Sequence, residues 1–150
     1  MAKQVEFDMK ELAGICGLYC GACTTYRAYK DKDSALLNKL AATHNIPVEK
    51  IACDGCLSHN YRLYLPAESR DCYFRQCAEE KGVTWCFECS EFPCKRLKDF
   101  SRDGRAHHTA VIDNLKEMKN LGVEEWLKVQ EKRWQCPDCG KKLHWRIGYL

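Results

Sequence analysis

Apolar positions recur at helical spacing along much of this chain. Leu36, Leu37, Leu40 and Ala41 share one face, Asp33 or Ser34 can cap the helix they belong to, and Pro47 bounds it. Val111, Leu115 and Met118 follow the i, i+4, i+7 pattern up to Gly122. Val123, Trp126, Leu127, Gln130 and Trp134 repeat it, with Glu124 and Glu125 at the start and Lys132 and Arg133 at the end, as the helix dipole favours. Together these two segments predict a helical hairpin, with Met118, Trp126 and Trp134 as core residues. Shorter helices are expected over 24–30, where Tyr26 and Tyr29 lie three apart, over 73–81 behind Asp71 and ahead of Gly82, and over 91–100 behind Ser90. Residues 62–65, where Leu63 and Leu65 alternate with Arg62 and Tyr64, read as a short strand, and residues 101–105, SRDGR, as a turn or hinge.

Superimposed on this pattern are twelve cysteines in 150 residues, ten of them between Cys16 and Cys94 and two at Cys136 and Cys139. Such a density indicates a disulfide scaffold or a metal protein. The first fifteen residues carry no apolar core of a secretory signal, and no apolar run approaches the roughly 18 residues of a membrane span. The expectation is therefore a cytoplasmic protein without membrane association, whose thiols stay reduced and serve as metal ligands.

Four C-x2-C pairs are present: Cys20 with Cys23, Cys53 with Cys56, Cys86 with Cys89, and Cys136 with Cys139. Two cysteines at this spacing wrap the backbone around one tetrahedral ion, so that main-chain amides point at the sulfurs. The others, Cys16, Cys72, Cys77 and Cys94, lie close to a pair or to one another. Twelve thiolates fill three four-thiolate sites, or two with four to spare; Cys53, Cys56, Cys72 and Cys77 form the most compact contiguous set. Cys136, Cys139 and His144 match three positions of a zinc knuckle whose fourth is Tyr149, so this pair must borrow ligands, use His144 with a water, or stay empty. His44, His59, His107 and His108 are expected to satisfy surface or core hydrogen bonds.

The opening CGLYCGAC has the C-x3-C-x2-C spacing of radical S-adenosylmethionine enzymes. A full β/α barrel of that class needs about 250 residues, however, and nothing here alternates strand with helix. Cys16 lacks a visible base and reads as a ligand rather than a nucleophile. Zinc and iron–sulfur clusters both accept four thiolates; widely separated C-x2-C pairs and the absence of the ferredoxin run C-x2-C-x2-C-x3-C-P favour zinc. Net charge is only +3, from 24 Lys and Arg against 21 Asp and Glu, so no overall field demands a nucleic acid. Lys141, Lys142 and Arg146, near Trp134 and Trp145, make a weakly basic tail that reads first as a solvated face.

The blocks CGLYCGACTTY, IACDGCL, CYFRQCAEEKGV and CFECSEFPCKRL, in this order over about residues 14–100, resemble an uncharacterised cysteine-rich family of bacterial and archaeal proteins, domain of unknown function 3795. The resemblance implies probable metal binding and no reaction. It assigns Cys16, Cys20, Cys23, Cys53, Cys56, Cys72, Cys77, Cys86, Cys89 and Cys94 as the family's cysteines.

The expected molecule is thus mostly α, with a small α+β fold as the variant. A metal-stabilised, cysteine-rich body with long loops and short helices spans 1–100. A helical hairpin and a C-terminal CxxC knuckle span 101–150, packed on the body as one unit. The expected function is zinc binding, with two or three ions, in an interaction module for an unidentified protein partner and with no catalytic residues. An iron–sulfur redox or electron-transfer protein is the first alternative, and weak nucleic-acid binding through the tail the second.

Overall fold

The computed structural model describes residues 9–58 and 60–145. Among them are six α-helices and short 3-10 turns, with no β-strand, only two isolated antiparallel bridges, Ala13 with Tyr19 and Gln135 with Lys142. The chain is mostly helical, as its periodicity predicts.

Helix α1, Thr24–Asp31, starts at Cys23 and stops at Lys32, which is left-handed at φ 52°. Helix α2, Ser34–His44, is capped by Asp33, whose carboxylate accepts the Leu36 N–H at 3.1 Å, and ends at left-handed Asn45. Helix α3, Tyr73–Lys81, runs from Cys72 to Gly82, whose N–H closes the last turn on Ala78 and Glu79 carbonyls at φ 67°. Helix α4 is Lys95–Ser101; α5, Val111–Leu121, and α6, Val123–Arg133, are separated by Gly122 alone. Its φ of 84° reverses the chain in a single residue, closing the hairpin.

Two expectations fail locally. Residues 62–65 are a turn, closed by the Leu65 N–H on the Arg62 carbonyl at 3.0 Å, because Arg62 is left-handed at φ 52° and the Arg70 side chain, not a neighbouring strand, takes the Leu65 carbonyl at 2.8 Å. The fourth helix begins at Lys95 rather than 91: the Phe92 N–H turns back onto the Cys89 carbonyl at 3.1 Å, which returns Cys94 to the vicinity of Cys86.

Val111, Leu115, Met118, Trp126 and Leu127 of the hairpin are fully buried against Leu12, Ala13, Ile15, Tyr19, Tyr26, Phe74, Ala78 and Leu97. The opening cysteine loop lies in the middle of this core. Gly17 adopts φ 96° and packs so closely on α5 that a Cβ would sit 2.4 Å from the Val111 carbonyl oxygen, while Asn114 Nδ2 donates to the Gly17 carbonyl at 2.9 Å. From the other side, the Cys86 N–H donates to Ile15 O at 3.0 Å and the Trp85 indole to Ala13 O at 2.9 Å. A smaller cluster of Ala28, Leu40 and Ile51, with Leu36, Leu37 and Tyr64 against it, joins α1 to α2.

Candidate metal centre

All twelve cysteines carry free thiols; ten of them fall into three groups, and Cys16 and Cys72 lie between the first two. In the first, the Cys56 N–H points at the Cys20 sulfur at 3.4 Å, and the two thiols hydrogen-bond to each other. That shared proton raises Cys20 and lowers Cys56, whose ionised form is also favoured by the Arg62 and Arg75 guanidinium groups. Cys23 feels the charge of Cys56 and then Cys53; burial pushes its thiol up to about 12, while the Thr25 and Tyr26 amides pull the other way. Burial likewise raises Cys53, opposed by the Arg62 and Gly55 amides, of which Arg62 N stands 3.4 Å from the sulfur. Amides facing sulfurs in this way are what C-x2-C turns supply to a bound ion.

The second group surrounds a cavity of about 30 Å³ lined by Cys77, Cys86, Cys89 and Cys94, with Phe92, Val83 and Leu97 as its apolar wall. Burial pushes Cys86 up to about 12, and among its neighbours Cys94, Cys77, Cys89 and Cys72 act on it in decreasing order. Lys81 Nζ lies 3.5 Å from the Cys89 sulfur and pairs with Glu91, bringing a positive charge to the rim. Between the two groups lie Cys16 and Cys72. Burial first, then Cys56, Cys72 and Cys86, raise Cys16 far above the ordinary thiol range.

The third group is Cys136 with Cys139. The Cys139, Asp138 and Gly140 amides favour the Cys136 thiolate, and the turn is held by the Gly140 N–H on Cys136 O at 2.9 Å and the Cys136 N–H on Lys141 O at 2.8 Å. His144 is buried, with Nδ1 3.2 Å from Thr24 Oγ1, and so anchors the tail to the start of α1. Trp145 continues that anchor through its N–H to Ala22 O at 2.9 Å and its stacking on His107 at 4.1 Å. Tyr149, Arg146 and His59 lie outside the described residues.

Among the described residues no three or more His, Cys, Asp or Glu side chains are arranged as a formed metal site. The donor chemistry nonetheless suits a soft or borderline cation: two groups of four unbridged thiols, buried or half-buried, with amides or a lysine aimed at several of the sulfurs. Spacing makes Cys53, Cys56, Cys72 and Cys77 the most compact contiguous set, and the thiol neighbours in the structure cut across it. Cys53 and Cys56 associate with Cys20 and Cys23, and Cys77 with Cys86, because the 51–57 loop crosses the opening loop while α3 lies beside α4.

Three cysteines sit at helix N-caps, Cys23 on α1, Cys72 on α3 and Cys94 on α4. Sequence reasoning missed a second feature, an adjoining cavity of about 510 Å³ bordered by Arg62, Arg75, Arg96, Arg105 and His108. The four arginines have no common spacing, so no motif marks them. The pairing of His108 Nδ1 with Asp103 Oδ2 at 2.7 Å, five residues apart across the turn, is the one local signal that was available.

No helix of the described residues is long and apolar enough to cross a membrane. No curated protein and no solved structure matches the chain. A family described as "Protein of unknown function (DUF3795)" matches residues 12–99, which contain both four-thiol groups and more than half of the chain, and the protein belongs to that family.

Proposed function

We propose that the protein binds two zinc ions as structural centres, one through Cys20, Cys23, Cys53 and Cys56 and the other through Cys77, Cys86, Cys89 and Cys94. The observation that carries the reading is the separation of these eight free thiols into two groups of four, one of them around a cavity of about 30 Å³, room for a single ion. Eight free thiols gathered in two groups supply the soft donors a divalent cation takes, and its binding releases their protons. A structural zinc contributes an apparent ~10–16 kcal/mol at neutral pH, against ~5–15 kcal/mol for the stability of a whole domain. Such ions would dominate folding, leaving the outer surface to bind a protein partner in a reducing compartment such as the cytoplasm.

Purification without oxygen followed by elemental analysis tests this. The expected result is a colourless protein with two zinc ions per chain, or three if Cys136 and Cys139 recruit further ligands. Brown protein with iron, acid-labile sulfide and broad absorption near ~400 nm would replace zinc by an iron–sulfur centre. Protein that folds without any metal would overturn both.

A further inference from the structure

The cavity of about 510 Å³ beside the first cysteine group has a composition that the metal sites do not explain. Ile15, Leu18, Phe74 and Phe100 form an apolar wall, in which the two phenyl rings meet edge to face at 4.9 Å. Above it, guanidinium groups alternate with aromatic rings: Arg75 lies 4.1 Å from the Tyr61 centroid and Arg96 3.9 Å from that of Tyr73. Four arginines face two carboxylates, and both carboxylates already have partners, Asp99 in Lys95 at 3.1 Å outside the cavity and Asp103 in His108 at 2.7 Å on its wall. Among the described residues Arg62, Arg96 and Arg105 form no ion pair, while Arg75 is held by the carbonyls of Cys56 at 2.6 Å and Ser58 at 3.1 Å.

This placement is specific. Arg62 enters the cavity from a left-handed backbone at φ 52°, a conformation that a long side chain rarely adopts. Asp103 also accepts the Arg105 N–H at 3.0 Å, which orders the loop carrying Arg105, and His108 is stacked on Phe100 at 3.8 Å. The result is a pocket of ligand size with a mostly apolar lining and a few convergent cationic groups, the usual form of a small-molecule site. Guanidinium forks match the oxygens of a phosphate or carboxylate, and the aromatic wall matches a planar ring.

We propose that this cavity binds a small aromatic anion, a planar ring bearing a phosphate or carboxylate, with the ring against Phe74 and Phe100 and the anionic group among Arg62, Arg96 and Arg105. The site adjoins the first proposed zinc centre and shares Cys56 with it, with Cys16 and Cys72 also on its border.

Calorimetric titration of the full chain as purified, with adenosine 5′-monophosphate, phenyl phosphate, adenosine and inorganic phosphate, tests the proposal. The two aromatic phosphates should bind with Kd below ~1 mM, and adenosine and inorganic phosphate at least ~10-fold more weakly. The double variant Arg96→Gln/Arg105→Gln, both exposed positions, should weaken the aromatic phosphates ~10-fold or more, with metal content and thermal melt unchanged. Arg133→Gln, outside the cavity, should leave binding as it is. Absence of saturable binding up to ~5 mM of either aromatic phosphate, inorganic phosphate binding as tightly as they do, or unaltered binding by the double variant would each overturn it.

Discussion

The backbone N–H of Cys56 stands 3.4 Å from the sulfur of Cys20, thirty-six positions earlier in the chain. This contact joins the opening loop to the 51–57 loop and makes one group of two C-x2-C pairs, where each pair alone supplies half of a tetrahedral site. Its chemistry leads to a first prediction. Cys56→Ala should remove one zinc ion per chain and retain the other, whereas Cys16→Ala, at a thiol outside both proposed groups of four, should retain both. Elemental analysis of the purified variants checks this; equal metal loss in both would place Cys16 among the ligands. Chelation of the wild-type chain at neutral pH should abolish its cooperative melt, followed by circular dichroism.

The docking of the opening loop on α5 carries a second prediction. A Cβ on Gly17 meets a backbone oxygen and, at 2.9 Å, the Leu115 side chain, and φ 96° is itself unfavourable for alanine. Gly17→Ala should therefore destabilise the fold by several kcal/mol, through overpacking and backbone strain together. Asn114→Ala, which strands the Gly17 carbonyl, should cost about 1–3 kcal/mol. Urea unfolding with metal present measures both, and an unchanged midpoint for Gly17→Ala would contradict the close approach.

Trp126 is completely buried and meets Tyr19 edge to face at 6.0 Å, but its indole N–H has no acceptor among the described residues. Trp126→Ala should cost about 3–5 kcal/mol by leaving a cavity beneath the opening loop. Trp126→Phe should cost clearly less, since it keeps a ring in place and removes an unsatisfied donor. The ratio of the two losses in denaturant unfolding decides the point.

His107 provides a pH dependence independent of the thiols. Burial, followed by the neighbouring His108 and Arg105, holds its pKa down to about 4 from the ordinary 6.5. The folded protein keeps the ring neutral where the unfolded chain takes up a proton. Stability contributed by this ring is therefore present above about 6.5, falls as pH drops from there towards about 4, and levels off below. Replacing the ring with phenylalanine, which preserves stacking on Trp145, should flatten that part of the profile. Stability curves of the two proteins at equal metal content should diverge across this window, and parallel curves would refute the assignment.

Much of the helical architecture was legible before any coordinates. The Asp33 cap, the Gly82 stop and the Gly122 hinge each follow from one residue's local chemistry, and the Val111–Leu115–Met118 and Trp126–Leu127–Gln130 faces from periodicity. Where local reading failed, at 62–65 and 91–94, the backbone follows distant or cysteine-dictated contacts. Arg62 turns its N–H towards Cys53 at 3.4 Å, and the 91–94 turn brings Cys94 to Cys86.

The sequence by itself determined the six helices, the inventory of twelve soft donors and the pairing of neighbours within each C-x2-C, because spacing over three or four residues dictates which groups can meet. Only the tertiary structure decided that the Cys56 N–H meets the Cys20 sulfur, that Cys94 and Cys77 neighbour Cys86, and that Arg62, Arg75, Arg96 and Arg105 border one cavity with His108. These are meetings of loops that cross in space. The opening loop has Cys53 and Cys56 on one side and Cys86 on the other because Gly17 seats it on α5 and the Cys86 N–H ties to Ile15. No periodicity encodes such crossings; they follow from the packing of the hairpin against the loop that opens the cysteine-rich region.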